Sequence, residues 1–160
     1  MKMYKRLAKN ISYLKGTKRK KKTITTIYIH GTGNKGDSAK NNVDYFATSN
    51  DREAGAHFFV DRNGKIARSI PMCYIAYAVG DWKNNVKSVS IELCDISDKY
   101  PSEKQIKATR KLIKYIRKYC KNAKYLKRHY DSNGKLCPSI MCGNKQKDKV
   151  WAQFKIDLDL

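Results

Sequence analysis

His30 ends a β-branched stretch, Thr23-Ile24-Thr25-Thr26-Ile27-Tyr28-Ile29, and opens a loop punctuated by Gly31, Gly33 and Gly36. Such a position fixes a side chain through the strand behind it and leaves room in front, which suits a metal ligand. A second group lies far along the chain, where His129 and Cys137 stand eight residues apart across Asn133-Gly134. Asn-Gly favours positive φ, and a reversal there can bring the two together. Zn²⁺ accepts imidazole and thiolate readily, and three protein ligands leave a fourth position for water, as in catalytic rather than structural sites. The spacing is not that of a zinc finger. On spacing alone a second reading stands beside the first, with His30 and His129 as satisfied polar residues near strand ends and Cys137 as a small buried hydrophobe.

Positioning these residues requires a scaffold, and the sequence predicts an α/β one. The run Thr23–Ile29 reads as a buried strand and Ser38–Ser49 as a short helix with Val43, Phe46 and Ala47 inward. His57–Val60 and Ile66–Ile70 flank Asp61-Arg62-Asn63-Gly64, which reads as a hairpin. Val86–Leu93 is the next strand, with Glu92 near its end. Ser102 followed by Gln105 is a capping-box signature for a helix over Ser102–Cys120, with Ile106, Ile113, Ile116 and Cys120 on one face. Its other face carries Lys107, Arg110, Lys111, Lys114 and Lys118, read as a solvated surface. Lys124–Arg128 is a last short strand and Val150–Leu158 a closing helix. The expectation is a single domain with a central mixed β-sheet flanked by helices, its site at strand ends.

Composition bounds the partners. With 160 residues, 41% of them hydrophobic, the chain can bury the core of one domain. Its formal net charge of +21 attracts any polyanion at low and moderate salt. Nucleic acid, anionic lipid and phosphate-rich wall polymers all satisfy that requirement. The longest near-continuous apolar run, Met72–Val79, falls far short of the roughly 18 residues that cross a bilayer. The stretch Met1–Asn10 lacks the apolar centre of a secretory signal, so synthesis in the cytoplasm and export by another route are expected. Five cysteines, an odd count, read as thiols rather than a disulfide framework.

Four segments in register carry a resemblance: Ile29-His30-Gly31-Thr32-Gly33-Asn34, Ala56-His57-Phe58-Phe59-Val60-Asp61 with Gly64, Ser90-Ile91-Glu92-Leu93-Cys94, and His129-Tyr130-Asp131 with Lys135-Leu136-Cys137-Pro138. Together they resemble the N-acetylmuramoyl-L-alanine amidase family of phage endolysins and bacterial autolysins, relatives of the peptidoglycan recognition proteins. The likeness spans roughly Asn10–Ile156, and Asn41-Asn42-Val43-Asp44-Tyr45-Phe46 is closest in flavour to clostridial phage endolysins. The resemblance implies that residues 1–160 form the catalytic domain, with the basic segment 1–22 packed on or leading into it. It implies one catalytic zinc ion held by His30, His129 and Cys137, Glu92 as the proton-transfer residue, and Lys135 as the stabiliser of the oxyanion. The substrate implied is peptidoglycan, cut between N-acetylmuramic acid and L-alanine, with action at the wall after release from the cytoplasm.

Two departures bear on the reaction. Ala56 stands where some relatives carry a catalytic tyrosine, which leaves more of the proton transfer to Glu92. Ala76-Tyr77-Ala78 replaces an Ala-Trp-His stretch, so one histidine that would touch substrate is missing. His57 is set outside the metal group, as a packed strand histidine. Anionic polymers of a Gram-positive wall are the expected partners by charge, with no specific nucleic acid and no membrane insertion. Three other readings compete: a non-catalytic wall-binding module, a basic nucleic-acid-binding protein and a hydrolase with Cys137 as nucleophile.

Overall fold

The β-branched run enters the sheet three residues later than expected, because Lys21–Thr23 closes a 3₁₀ turn before strand β2 (Thr26–Gly31) begins. In the computed structural model, which describes residues 1–160, β2 lies between β5 (Ser88–Leu93) and β6 (Tyr125–Arg128), parallel to both. Beyond β5 come β3 (Phe58–Val60), β4 (Ile66–Arg68) and β1 (Tyr4–Lys5), so the sheet order is β1-β4-β3-β5-β2-β6. Only the hairpin of β3 and β4 is antiparallel, and its loop turns at Gly64 with φ +77. A parallel sheet buried on both faces explains the near-continuous apolar character of β2.

Register then sorts the side chains. Ile27 pairs with Val89 and Ile29 with Ile91, which puts four aliphatic residues on one face. That face packs against α3 (Glu103–Tyr119) and α5 (Lys145–Leu158) through Leu112, Ile113, Ile116, Trp151 and Phe154. Each such fully buried aliphatic contributes about 1.5–3 kcal/mol of transfer free energy. On the other face Tyr28 pairs with Ser90 and His30 with Glu92. There α1 (Ala39–Thr48) packs Ala39 and Val43 on Phe59, Ala67 and Cys94, and leaves the carboxyl ends of β2 and β5 open.

The helix ends follow the expected chemistry with one correction. Ser102 accepts from the Gln105 N–H, but the Gln105 side chain turns inward and donates to the carbonyls of Val60 and Cys94. The capping box is therefore half formed, because two buried strand-end carbonyls claim the amide instead. Val86 is the last residue of a short helix, α2 (Trp82–Val86), capped by Asp81, and not the start of β5. The closing helix begins five residues before Val150, where Asn144 accepts from the Lys147 N–H.

Several residues within 1–22 bond to later parts of the chain. Arg6 and Leu14 donate their backbone N–H groups to Arg68 and Ile75 carbonyls. Arg19 is buried, and its guanidinium donates to the carbonyls of Met72, Asn85 and Val86. All five cysteines are free thiols. No helix is long and apolar enough to cross a membrane.

Candidate metal centre

His30 is the next-to-last residue of β2, paired with Glu92 of β5, and the preceding Ile29 is flanked by Ile91 of β5 and Arg128 of β6. His129 follows β6 directly, and its N–H donates to the Ile29 carbonyl, so the sheet register brings the two imidazoles together. Their ring centroids are 4.8 Å apart at 63°. Between His129 and Cys137 the chain makes one turn of helix, α4 (Tyr130–Asn133), and reverses at Gly134 with φ +80. The loop is closed by the Tyr130 N–H donating to the Cys137 carbonyl at 3.0 Å. Donor atoms of His30, His129 and Cys137 lie within 4.8 Å of one another, and Cys137 Sγ is 3.9 Å from His30 Nδ1.

One ring nitrogen of each histidine in this cluster lacks a hydrogen-bond partner. Nε2 of His30 and Nε2 of His129 are both buried and hydrogen-bonded to nothing in the chain. The His30 nitrogen that faces Cys137 Sγ and Glu92 Oε1 is Nδ1, at 3.9 Å from each, and two buried imidazoles converging with a thiol in this way fit a soft, tetrahedral cation such as zinc. Burial keeps each group uncharged. It holds the His30 imidazolium well below its ordinary range, with His129 and Lys135 adding like-charge repulsion. It lowers His129 to about 4, with Lys135 next in effect, and pushes the Cys137 thiol up to about 12, with Glu92 adding to the rise. Neutral imidazoles are ready to ligate, whereas the thiol needs a cation beside it before it gives up its proton.

Glu92, one strand over from His30, places Oε1 3.9 Å from His30 Nδ1. Its Oε2 is buried without a partner. Burial raises this carboxyl to about 8, against the pull of Lys135 and with a push from Asp37. Glu92, Lys135 and the three donor residues line one cleft of about 790 Å³, with Asn34, Tyr45, Arg52 and Tyr77 farther along its walls. Ala78 lines it too, where a histidine would have reached inward, whereas Ala56 is buried in a cluster with Ala39, Val43 and Phe59 and is not part of the lining.

Two residues at the site escaped the sequence reading. Asp37 lines the cleft with Oδ2 accepting from Asn42 at 2.6 Å and Oδ1 buried and unpartnered. Its one local signal is its place just before the N-cap Ser38. Arg128 ends β6, directly before His129, and donates to Asp131, Asp148 and the Met141 carbonyl, with the Tyr130 and Trp151 rings 5.1 and 5.7 Å from its guanidinium. In a chain with 35 basic residues nothing marks this one. His57 lies outside the cluster, packed beneath the sheet face with its ring nitrogens against Ser90, Tyr74 and Arg19.

Comparison with known proteins places the chain in a family. The family described as N-acetylmuramoyl-L-alanine amidase matches residues 20–140. The amidase CwlL of Bacillus licheniformis is 30% identical over 132 residues, 72% of this chain and 36% of that protein. CwlA of Bacillus subtilis is 31% identical over 141 residues, 83% of this chain and 48% of that protein. The chain thus spans between a third and a half of the length of these relatives. The solved structure of PlyL superposes with a TM-score of 0.80 over 99% of this chain and 97% of its own, at 23% identity, which is a likeness of fold. With the match covering most of the sheet, the cleft and all three donor residues, the chain belongs to the N-acetylmuramoyl-L-alanine amidase family.

Proposed function

We propose that this chain hydrolyses the amide between N-acetylmuramic acid and L-alanine in peptidoglycan, using one zinc ion held by His30, His129 and Cys137. The observation that carries the reading is the convergence of two buried imidazoles and a thiol, their donor atoms within 4.8 Å of one another, next to a carboxyl with one buried, unpartnered oxygen. Zinc bound there supplies a Lewis acid that polarises the scissile carbonyl and acidifies water. Glu92 takes the proton of the attacking water on its carboxylate and hands it to the leaving amine, and its burial raises it out of the ordinary carboxylate range toward neutral pH. Lys135 faces the same cleft and offsets negative charge as it develops on the carbonyl oxygen. Cys137 is a poor candidate for a nucleophile of its own, because burial and the neighbouring Glu92 hold it as a thiol.

Residues 1–160 act as one catalytic unit in this reading, made in the cytoplasm and working on the wall after release. The charge of +21 holds it near the anionic polymers of a Gram-positive wall. A clostridial phage source rests on Asn41–Phe46 alone. The test is release of N-terminal alanine from purified Gram-positive peptidoglycan, with chelator and then with zinc restored. Release that stops with chelator and returns with zinc is the expected result. Binding without release sinks the reading.

A further inference from the structure

The outer face of α3 carries lysines at 104, 107, 111, 114 and 118, a repeat of three and four residues that makes one row along a helix. All five are exposed, and the row runs about 21 Å at 1.5 Å per residue. The sole carboxylate paired with it is Glu103, 3.8 Å from Lys107. At the end of the helix a second basic run, distant in sequence, meets the first. Asn122 donates to the Lys22 carbonyl at 2.8 Å, and the Lys21 ammonium lies 5.1 Å over the Tyr119 ring. This run is a fixed part of the surface, since Arg19 in its midst is buried and tied to three carbonyls.

The joined surface lies away from the cleft. α3 covers the aliphatic face of the sheet, whereas His30 and Glu92 project from the other face at the carboxyl ends of their strands. Lys18–Lys22 precede β2 and so sit at the opposite end. A polymer along the row leaves the cleft free. Tyr115 and Tyr119 lie 4.9 Å apart, tilted at 56°, and Lys21 covers the latter, so these two rings do not form a flat stacking platform for nucleobases.

We infer that the α3 lysine row, extended by the Lys18–Lys22 run, is a docking track for a linear polyol-phosphate polymer of the wall. A flexible chain with one phosphate per short repeat can set successive charges against a straight row, and binding of that kind releases counterions. The choice of a wall polymer rests on the amidase reading; the track itself rests on the charge geometry.

The experiment measures binding of the full chain to purified poly(glycerol phosphate) teichoic acid across a salt series. One variant combines Lys107→Gln, Lys111→Gln, Lys114→Gln and Lys118→Gln. A charge-matched variant combines Lys2→Gln, Lys5→Gln, Lys9→Gln and Lys83→Gln, all exposed on the β1 edge and α2. The row variant should bind about tenfold more weakly or worse, with a shallower salt dependence, and the matched variant within about threefold of the parent. Equal losses in the two variants overturn the track. Single-stranded DNA or phosphatidylglycerol vesicles bound as tightly as teichoic acid, through the same lysines, overturn the assignment to a wall polymer. Cleavage of a soluble muramoyl peptide is measured in parallel and should be unchanged in both variants; a parent that binds teichoic acid but cleaves nothing refutes the amidase reading and leaves the track standing.

Discussion

The protein buries three histidines almost equally, His57 at 1% exposure, His30 at 2% and His129 at 4%, yet they occupy two different kinds of place. His57 Nδ1 accepts the Ser90 N–H at 3.1 Å, and its Nε2 lies 3.0 Å from the Arg19 guanidinium and 3.2 Å from the Tyr74 carbonyl. His30 and His129 each keep a buried nitrogen with no partner. Burial depresses all three pKa values, His57 to about 3 and His129 to about 4, so neither exposure nor acidity separates the two environments. Convergence does. The donor atoms of His30 and His129 meet that of Cys137 within 4.8 Å, whereas both nitrogens of His57 are in contact with scaffold groups.

The sharpest way to break this comparison is to remove Cys137. The Cys137→Ala variant should lose zinc and all measurable amide cleavage, while His57→Asn keeps its zinc; metal content after dialysis reads both, and comparable zinc loss in the two would erase the distinction. Next in size is Glu92→Gln, expected to lower kcat about 10²–10⁴-fold with zinc content intact. A variant that also loses metal would recast Glu92 as a ligand. His57→Ala should cost about 2–4 kcal/mol in urea unfolding, since it strands the Ser90 N–H and opens a gap beside Arg19, with no change in zinc stoichiometry.

The smallest effect is a slope. His57 is depressed in the folded state, so the unfolded chain binds more protons between about 6.5 and 3, and stability is lost as pH falls through that window. The contribution is about 1.4 kcal/mol per pH unit where the folded histidine is neutral and the unfolded one charged. Glu92, raised to about 8, acts in the opposite sense between about 8 and 4.5, where falling pH removes a penalty. The readout is therefore the difference between parent and His57→Asn unfolding free energies across pH, which should narrow toward acid. A constant difference would mean that His57 is charged in the fold.

Much of this scaffold was legible because its signals are local. Ser102 before the Ile106–Ile116 stripe announces α3, and Asn63-Gly64 between apolar runs announces the hairpin. The misplaced boundary at Val86 came from a β-branched residue that ends α2, where the helix signal was the cap Asp81 and no periodicity. β1 is two residues long and had no pattern to offer. At the cleft, the pairing of His129 with Cys137 was readable from the Asn-Gly turn, whereas the approach of His30 to His129 depends on β2 and β6 lying side by side, a long-range pairing that no window of sequence contains. Asp37 and Arg128 were invisible for a different reason, since their roles reside in contacts with residues from other segments.

Arg128 shows how far the foundations of the cleft extend. The family match ends at residue 140, after the last candidate ligand. Yet the residue just before His129 is anchored to Asp148 at 2.6 Å and lies against Trp151, both in α5. A minimal domain trimmed to the matched boundary would retain every donor atom and lose the abutment that keeps one of them aligned, so the last helix is a structural support for chemistry it never touches.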